Sequence, residues 1–345
     1  MVYISTFTPG FESVIKNILP VILKGSKIIN VNSGLVSYKF NGDPTSILEV
    51  VIFNNSYHVI KSFTGKKLSF HKMVNEIIHS KNKYLNQNEL KFRGKTFRIR
   101  FSKENRFTKV NKQVVTKAEN EVAKATSLIV NRLNPETEFW YIIRRENIAY
   151  YAQLLSKRTY TEKNLNKGEL RPEFALLIAY WAQIKANDVV MDPFAGYGSI
   201  PLQIYKNLKF HKLIVNDIDI NKVKYIKKLF AKFKEAKNVE IICKDSMCLP
   251  NIGDKTIDKI IADPPWGIYE EIGDIQDFYH NLLVEFKRVL KDEGEIIILT
   301  SGKIELENAA SSCGLKIFDK IDTLVNGKKA GVFKLVKNSQ IKVNN

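Results

Sequence analysis

The stretch Val189–Ser199, VVMDPFAGYGS, decides the fold that we predict for this chain. Three apolar residues precede an aspartate, and a loop with Gly196 and Gly198 follows directly. Glycine permits a tight turn and a close approach of the backbone to a ligand. A nicotinamide-binding fingerprint would have a third glycine where this chain has Pro201. The stretch predicts a strand, a loop and a helix. The loop is either a purely structural turn or part of a site that binds a cofactor other than a dinucleotide.

Three further predicted strands follow, and each ends in an aspartate. They are Lys212–Asp217 (KLIVND), Glu240–Asp245 (EIICKD) and Asp258–Asp263 (DKIIAD). Helical segments separate them, and strands that alternate with helices predict a parallel sheet with helices on both faces. Two closing strands, about 315–324 and 330–336, flank the turn signal NGKK and should pair antiparallel. A further apolar strand is predicted at Glu295–Ser301 (EIIILTS), before the closing pair. We predict an α/β fold with a doubly wound, mostly parallel sheet of seven strands.

The aspartates at the strand ends predict the type of cofactor. Ligands of open parallel sheets bind at the carboxyl ends of the strands. Asp192 would repel a pyrophosphate but would accept the cationic amino-acid part of S-adenosylmethionine. Asp217, with Asp219 beside it, would accept ribose hydroxyls, and Asp245, with Ser246, would lie beside the adenine. The sequence therefore favours S-adenosylmethionine as the cofactor.

The residues Asp263–Gly267, DPPWG, follow the fourth predicted strand. Two consecutive prolines fix φ twice and remove two amide donors, so their carbonyls point outward without competing ladder bonds. An exocyclic amino group could donate to the Asp263 carboxylate and to the Pro264 carbonyl, which would aim its lone pair at a methyl donor. Trp266 offers a flat face on which a base can stack. The predicted catalytic residues are Asp263, Pro264, Pro265 and Trp266; the alternative is a proline-rich loop without a catalytic role.

Positive charge is concentrated in the first half of the chain. Residues 1–170 carry +15, with 28 Lys and Arg against 13 Asp and Glu, and residues 171–345 carry +3, with 26 against 23. A lysine-rich proteome would raise the charge of both halves and does not explain this imbalance. A basic half joined to a nearly neutral half is typical of a protein that binds nucleic acid.

The segment Lys91–Lys112 is the strongest candidate for an RNA-binding surface, with nine Lys and Arg residues and one acidic residue. Within it, Lys91–Phe101 alternates, which predicts a strand with phenylalanines in the core and arginines outside. Thr116 and Glu119 form a possible capping box for a helix to about Leu133. The basic side chains predict contacts with an RNA backbone, the alternative being a solvated strand face. The RNA-binding candidates are Lys91, Arg93, Lys95, Arg98, Arg100, Lys103, Arg106, Lys157 and Arg158.

Other features narrow the class of protein. No apolar run reaches the roughly 18 residues of a membrane span, and the first residues do not form a secretory signal. The three cysteines cannot make a disulfide framework, and no His or Cys cluster has zinc spacing. We therefore expect a cytoplasmic monomer without a metal and without a membrane partner.

The two motifs Asp192–Ser199 and Asp263–Gly267 together resemble the amino-methyltransferases whose fourth motif is Asp/Asn-Pro-Pro-aromatic. The segment Leu170–Ala182, LRPEFALLIAYWA, resembles the one before the cofactor loop in the THUMP-containing tRNA guanine-N2 methyltransferases. Thr6–Leu19 and Ile148–Tyr160 match landmarks of the same family. The resemblance covers most of the chain and is tight over residues 168–301 and looser before them. The resemblance implies a basic N-terminal α+β half, made of a ferredoxin-like piece and a THUMP domain, that binds the acceptor stem of tRNA.

By position, the resemblance also implies which residues contact the methionine part, the ribose and the adenine of the cofactor and which line the cofactor entrance. It further implies that the DPPW motif binds the target base. This chain has Ser199 where members of the family often have threonine, and the serine keeps the hydroxyl group. It has Trp266 where members often have Tyr or Phe, and this difference leaves the identity of the target base open. The cofactor-binding candidates are Arg171, Pro172, Asp192, Pro193, Phe194, Ala195, Gly196, Gly198, Ser199, Asp217, Ile218, Asp219, Asp245 and Ser246.

These observations predict an enzyme that methylates an exocyclic amino group of a base in structured RNA, with N2 of a guanosine in tRNA preferred. The alternatives are an rRNA guanine-N2 methyltransferase, an adenine-N6 DNA methyltransferase, and a non-catalytic RNA-binding protein. The predicted domains are a ferredoxin-like region over 1–65, a THUMP-like domain over 66–155, a linker over 156–170, a methyltransferase domain over 171–338 and a tail over 339–345.

Overall fold

The structure is a computed structural model in which the chain forms two compact units. The first comprises residues 1–7 and 15–158, and the second comprises residues 8–14 and 159–345. The structure describes residues 1–80, 94–157, 165–233, 236–266, 273–325 and 327–338, with only the backbone of 156 and 157. The predicted tail over 339–345 lies outside the described residues.

The first part of the chain alternates strands with a few helices. Its elements are β1 (Val2–Thr6), α1 (Glu12–Ile22), β2 (Lys27–Asn32), β3 (Leu35–Lys39), α2 (Thr45–Leu48), β4 (Asn55–Thr64), α3 (Phe70–Ile78), β5 (Thr96–Lys103), β6 (Arg106–Phe107), α4 (Lys112–Thr126), β7 (Ile129–Val130), β8 (Thr137–Ile143) and β9 (Ile148–Lys157).

One sheet runs through the described part of the first unit. Among its described residues the strand order is β2-β3-β1-β4-β9-β8-β5-β6, and β7 pairs with β5. Since β4 pairs with β9, the regions predicted as ferredoxin-like and THUMP-like share this sheet. The helices α3 and α4 cover one of its faces through a core that includes Met73, Val122 and Phe139. The first unit is therefore the α+β half that the sequence predicts.

The basic strand and the helix after it differ in detail from the prediction. Phe97 and Phe101 are buried in the core as expected, whereas Phe107 is 69% exposed. The prediction of a capping box at Thr116 was wrong, because Thr116 lies inside the helix. The helix α4 begins after Asn111, whose side chain accepts a hydrogen bond from the amide of residue 113. The helix ends at Thr126 because the next residue adopts a left-handed conformation.

The second unit alternates strands and helices. Its elements are α5 (Pro172–Trp181), β10 (Val189–Asp192), α6 (Ser199–Asn207), β11 (Lys212–Asn216), α7 (Ile220–Phe230), a short 3-10 helix (Ala236–Asn238), β12 (Val239–Ile242), β13 (Ile257–Ala262), α8 (Ile275–Val289), β14 (Leu290–Thr300), α9 (Lys303–Ser312), β15 (Leu315–Val325) and β16 (Lys328–Lys337).

The second sheet confirms the fold predicted from the sequence. Among the described residues it has seven strands in the order β12-β11-β10-β13-β14-β16-β15. The five strands from β12 to β14 are parallel, and β16 pairs antiparallel with β14 and β15. Buried isoleucines such as Ile260 and Ile296 pack against Leu283 and Phe286 of α8. Such runs of β-branched residues are typical of strands that are covered on both faces.

A short N-terminal stretch, residues 8–14, belongs to the second unit. The ring of Phe11 packs edge-on against that of Phe174, with 5.7 Å between the centroids. The hydroxyl of Thr323 donates to the carbonyl of Pro9 at 3.0 Å. The second unit therefore includes residues from a stretch that the sequence analysis placed in the N-terminal region.

Within the described residues, no helix is both long and apolar enough to cross a membrane.

Candidate functional site

A cavity of about 970 Å³ lies where the parallel strands of the second sheet end. The loops after β10, β11, β12 and β13 all reach it, as expected for an open parallel sheet. The predicted site residues in its wall are Arg171, Asp192, Phe194, Ala195, Gly196, Ser199, Asp217, Ile218, Asp219, Asp245, Ser246, Asp263, Pro264, Pro265 and Trp266. The structure thus brings together residues that are separated by up to 95 positions in the sequence.

Asp192, the last residue of β10, is 1% exposed. Its Oδ1 accepts a hydrogen bond from the amide of Phe194 at 3.1 Å, and its Oδ2 has no hydrogen-bond partner among the described residues. Burial raises the pKa of Asp192 well above its usual range, and the carboxylates of Asp263 and Asp217 raise it further. A buried carboxylate oxygen without a partner needs a cation or a donor from a ligand.

The glycine loop after β10 is held by the next strand. Gly196 has φ +56° and its amide donates to Oδ2 of Asp217 at 2.8 Å. Oδ1 of Asp217 accepts from the amide of Asp219 at 2.9 Å. Asp217 therefore fixes the shape of the loop in addition to lining the cavity. Gly198 has φ +86° and lies at the start of α6, where a Cβ would come within 3.2 Å of Leu229.

The fully buried Asn216 ties three of the strand-end loops together. Its amide nitrogen donates to the carbonyls of Pro193 and Lys244 and to the hydroxyl of Ser246. Ser246 in turn donates to the carbonyl of Pro193 at 2.6 Å. The hydroxyl of Ser246 and the carbonyl of Pro193 are thus used within the protein, and the sequence analysis missed Asn216 because its role depends on contacts between loops.

The DPPW motif stands directly after β13. The indole Nε1 of Trp266 donates to Oδ1 of Asp263 at 3.1 Å and to the carbonyl of Leu299 at 3.2 Å. Burial raises the pKa of Asp263 to about 7, and the hydrogen bond from Trp266 opposes this rise. Since Oδ1 is used by the indole, Oδ2 is the oxygen of Asp263 that remains for an amino group.

Three predicted site residues do not line the cavity, although they shape it. Pro172 is the first residue of α5, Pro193 supplies a carbonyl to the loop network, and Gly198 opens α6. Other residues line the cavity without having been predicted, among them Glu169, Phe174, Lys222, Met247, Phe278 and Lys328. Lys222 and Met247 follow closely after predicted residues, a proximity that could have identified them, whereas Phe278 and Lys328 carry no local sequence signal.

The basic candidates in the first unit fall into three groups. Lys91, Arg93 and Arg158, together with the side chain of Lys157, lie outside the described residues. Lys95, Lys103 and Arg106 are exposed, as a surface that binds a phosphate backbone requires. Arg98 forms an ion pair with Glu138 at 2.8 Å, and the guanidinium of Arg100 lies 5.1 Å from the centroid of the Phe107 ring.

Phe107 connects these basic residues to a set of aromatic rings. Its ring lies 5.5 Å from that of Trp140, which in turn packs edge-on against Tyr57 at 5.6 Å. Trp140 also donates to Glu138 at 3.1 Å. The exposed Phe107 beside Arg100 gives this face of the sheet both positive charge and an aromatic surface, which are the two features that bind unpaired nucleotides.

The described residues contain no group of three or more His, Cys, Asp and Glu side chains that could hold a metal ion.

About half of the chain is similar in sequence to known methyltransferases. Residues 158–329 match the family UPF0020, described as an RMKL-like methyltransferase domain. A tRNA (guanine(10)-N2)-dimethyltransferase of Methanocaldococcus jannaschii is 28% identical over 209 residues, which cover 53% of this chain and 54% of that protein. The chain therefore matches about half the length of this curated relative.

Two solved structures share the fold of almost the whole chain. TrmN from Thermus thermophilus has a TM-score of 0.78 at 18% identity and covers 98% of this chain and 100% of its own. SMU.472, complexed with SAH, has a TM-score of 0.72 at 13% identity and covers 97% of this chain and 98% of its own. The match to the UPF0020 family covers the five parallel strands and the cavity at their carboxyl edge, so this part of the chain is similar to an RMKL-like methyltransferase domain.

Proposed function

We propose that this protein transfers a methyl group from S-adenosylmethionine to an exocyclic amino group of RNA, at N2 of a guanosine in tRNA. The observation that carries the proposal is the position of Asp263 and Pro264 in the same cavity as the buried, unpartnered oxygen of Asp192. One cavity therefore holds acceptors for an amine and an acceptor for the cationic cofactor.

The residues of the cavity fit S-adenosylmethionine. The free Oδ2 of Asp192 suits the ammonium of the methionine part, because a bound cation would offset the burial that raises the pKa of this carboxyl. Asp217 and Asp219 line the same cavity and would accept hydrogen bonds from ribose hydroxyls in addition to the backbone amides that they bind. The exposed apolar side chains of Ile218 and Met247 line the wall beside Asp245 and suit a flat adenine. When bound, S-adenosylmethionine supplies a methyl group that is already activated by its sulfonium.

The protein then has to position the amine and to take up one proton. Oδ2 of Asp263 and the carbonyl of Pro264 can accept the two hydrogens of an amino group, so its lone pair is held in one direction. Transfer would break the sulfur–methyl bond, leave a neutral thioether and make the methylated nitrogen acidic, and Asp263 would accept the proton that this nitrogen loses. This role requires the ionised carboxylate.

The choice of tRNA rests on the basic first unit and on the relative. The first unit presents exposed Lys103 and Arg106 next to the exposed Phe107, and an exposed Lys95 before the start of the same strand, β5. The aligned relative from Methanocaldococcus jannaschii is a tRNA (guanine(10)-N2)-dimethyltransferase. A base inside a helix would have to leave its stack to reach Asp263, as in other enzymes that act on bases.

A labelling experiment tests this proposal. The protein is incubated with labelled S-adenosylmethionine and separate pools of unmodified tRNA, rRNA fragments and duplex DNA, and the products are digested to nucleosides. We expect label in N2-methylated guanosine from tRNA. Label in rRNA guanosine, or in N6-methyladenine from DNA, would contradict the substrate that we propose.

Calorimetry with S-adenosylmethionine separates an enzyme from a protein that only binds RNA. Wild-type protein that releases no binding heat would contradict the proposed activity as a whole. Asp263→Ala should abolish transfer and retain cofactor binding. Asp277→Ala, which removes an exposed carboxylate on α8, is the matched control and should leave both unchanged.

A further inference from the structure

The hairpin formed by β15 and β16 extends past the carboxyl edge of the second sheet. The last pair between β14 and β16 is Thr300 with Gly331. Because β16 runs antiparallel to β14, the residues of β16 before Gly331 lie beyond the end of β14. The pairs in this projecting part are Thr323 with Ala330, Leu324 with Lys329 and Val325 with Lys328.

Contacts at the base of the projecting part hold it in place. The hydroxyl of Thr323 donates to the carbonyl of Pro9, and Lys303 forms an ion pair with Asp322. Gly10 lies so close to the hairpin that a Cβ would come within 2.6 Å of the Asp322 carbonyl oxygen. The hairpin is therefore fixed over the edge of the sheet by the protein's own residues.

The tip of the hairpin forms part of the cavity wall. Val325 and Lys328 both line the cavity, and Lys328 is exposed. Lys329 is also exposed but, among the described residues, is not part of the cavity wall. This difference is expected, because successive side chains of a strand point to opposite faces.

The strand order places Lys328 on the side of the target base. The cofactor candidates follow β10, β11 and β12, whereas β16 lies beyond β14 on the other side of β13. Trp266, in the catalytic motif, is bonded to the carbonyl of Leu299 at the end of β14. Lys328 is thus separated from the cofactor side by the strand that carries the catalytic motif.

The charge of the cavity favours a cation at this position. Seven carboxyl groups of described residues line the cavity, against four basic side chains: the acidic residues are Glu169, Asp192, Asp217, Asp219, Asp245, Asp263 and Asp274, and the basic ones are Lys167, Arg171, Lys222 and Lys328. The acidic residues suit a cationic cofactor but repel the phosphates on either side of a nucleotide. We propose that the ammonium of Lys328 binds a backbone phosphate of the target nucleotide and so offsets this repulsion, an inference that rests on the proposed action on RNA.

The adjacent lysines give a matched pair of variants, Lys328→Gln and Lys329→Gln. With unmodified tRNA as the probe, we expect Lys328→Gln to raise KM for tRNA about tenfold. Its kcat and its affinity for S-adenosylmethionine should stay near wild type, and Lys328→Arg should restore KM. The dependence of log affinity on log salt concentration should become shallower by about 0.7–0.9, the loss of one phosphate contact.

Two outcomes would overturn the assignment of Lys328. One is an equal effect of Lys328→Gln and Lys329→Gln, which would indicate a general charge effect. The other is a loss of S-adenosylmethionine affinity in Lys328→Gln, which would place the lysine on the cofactor. If wild-type protein methylates no RNA, the proposed function fails instead, and this result is seen before any variant is made.

Discussion

The indole nitrogen of Trp266 donates a hydrogen bond to Oδ1 of Asp263 over 3.1 Å. The sequence analysis gave Trp266 only a stacking role, and the hydrogen bond adds an electrostatic one. It stabilises the charged form of a carboxyl whose pKa burial raises to about 7. A second bond to the Leu299 carbonyl fixes the indole. Trp266 therefore orients the acceptor that we assign to the amine and lowers its pKa against the larger effect of burial.

The rate of transfer should increase with pH through about 7. Below that pH Asp263 is protonated and cannot accept hydrogens from the amine, whereas above it the carboxylate is ionised. Measuring kcat/KM for tRNA against pH reports this group in the free enzyme. Asp263→Asn should lower kcat/KM by at least about 100-fold and remove the rising limb. A rising limb that persists in Asp263→Asn would assign the titration to another group.

Trp266→Phe should move the rising limb of the profile to higher pH. The substitution keeps an apolar ring and removes the donor that lowers the pKa of Asp263. Trp140→Phe removes a comparable indole bond, to Glu138 in the first unit, and should leave the profile unchanged. An unshifted profile in Trp266→Phe, at retained cofactor affinity, would show that the bond does not tune Asp263.

Asp192→Asn should change cofactor affinity and stability in opposite directions. The variant lacks the charge that we assign to the ammonium of S-adenosylmethionine, so calorimetry should show an affinity at least about tenfold lower. Without cofactor, the substitution relieves the burial and the repulsion from Asp263 and Asp217 that raise the pKa of this carboxyl.

The sign of the stability effect follows from proton linkage. A carboxyl whose folded pKa is raised binds more protons in the folded state, so its contribution to stability falls as pH rises above the unfolded pKa. Cofactor-free Asp192→Asn should therefore unfold at a higher temperature than wild type at pH 8, by thermal unfolding, and the gain should shrink at lower pH. A Tm that is lower by the same amount at both pH values would contradict this account.

Arg106→Gln and Phe107→Ala should each weaken tRNA binding. The first removes an exposed charge, and we expect a shallower salt dependence, while the second removes an exposed ring that can stack on a base. Filter binding at several salt concentrations measures both effects. Lys24→Gln, at an exposed position without an assigned role, is the control. If the three variants bind equally well, this face of the first unit does not contact RNA.

Gly10→Ala should destabilise the second unit. Gly10 has φ +99°, and an added Cβ would lie 2.6 Å from the Asp322 carbonyl oxygen. We expect a loss of ~2–4 kcal/mol in urea unfolding from strain and overpacking. Gly25→Ala, with φ +86° and no atom within 4 Å of the added Cβ, should cost only ~1–2 kcal/mol. Equal losses in the two variants would mean that the contact of residues 8–14 with the hairpin contributes nothing.

Local patterns were sufficient to predict the second sheet. Short apolar runs that alternate with amphipathic segments predicted each parallel strand. The turn signal predicted the antiparallel pair of strands at the C-terminal end of the unit. The strands end slightly earlier than predicted: β11 stops at Asn216, and β12 stops at Ile242, three residues before Asp245. These ends depend on hydrogen bonds between loops, which the chain makes only after it has folded.

By itself the sequence determined which residues are candidates for the chemistry. The aspartates after the strands, the glycine loop and the DPPW motif are local signals, and their order along the chain predicts where they lie in a parallel sheet. Only the tertiary structure decided what surrounds them. It buried Asp192 with one oxygen unpaired, bonded Trp266 to Asp263, and brought Lys328 from a distant hairpin and Pro9 from the N-terminal stretch to the same edge. The reason is physical, because burial, pKa and contacts between distant segments are properties of packing and have no local sequence signal.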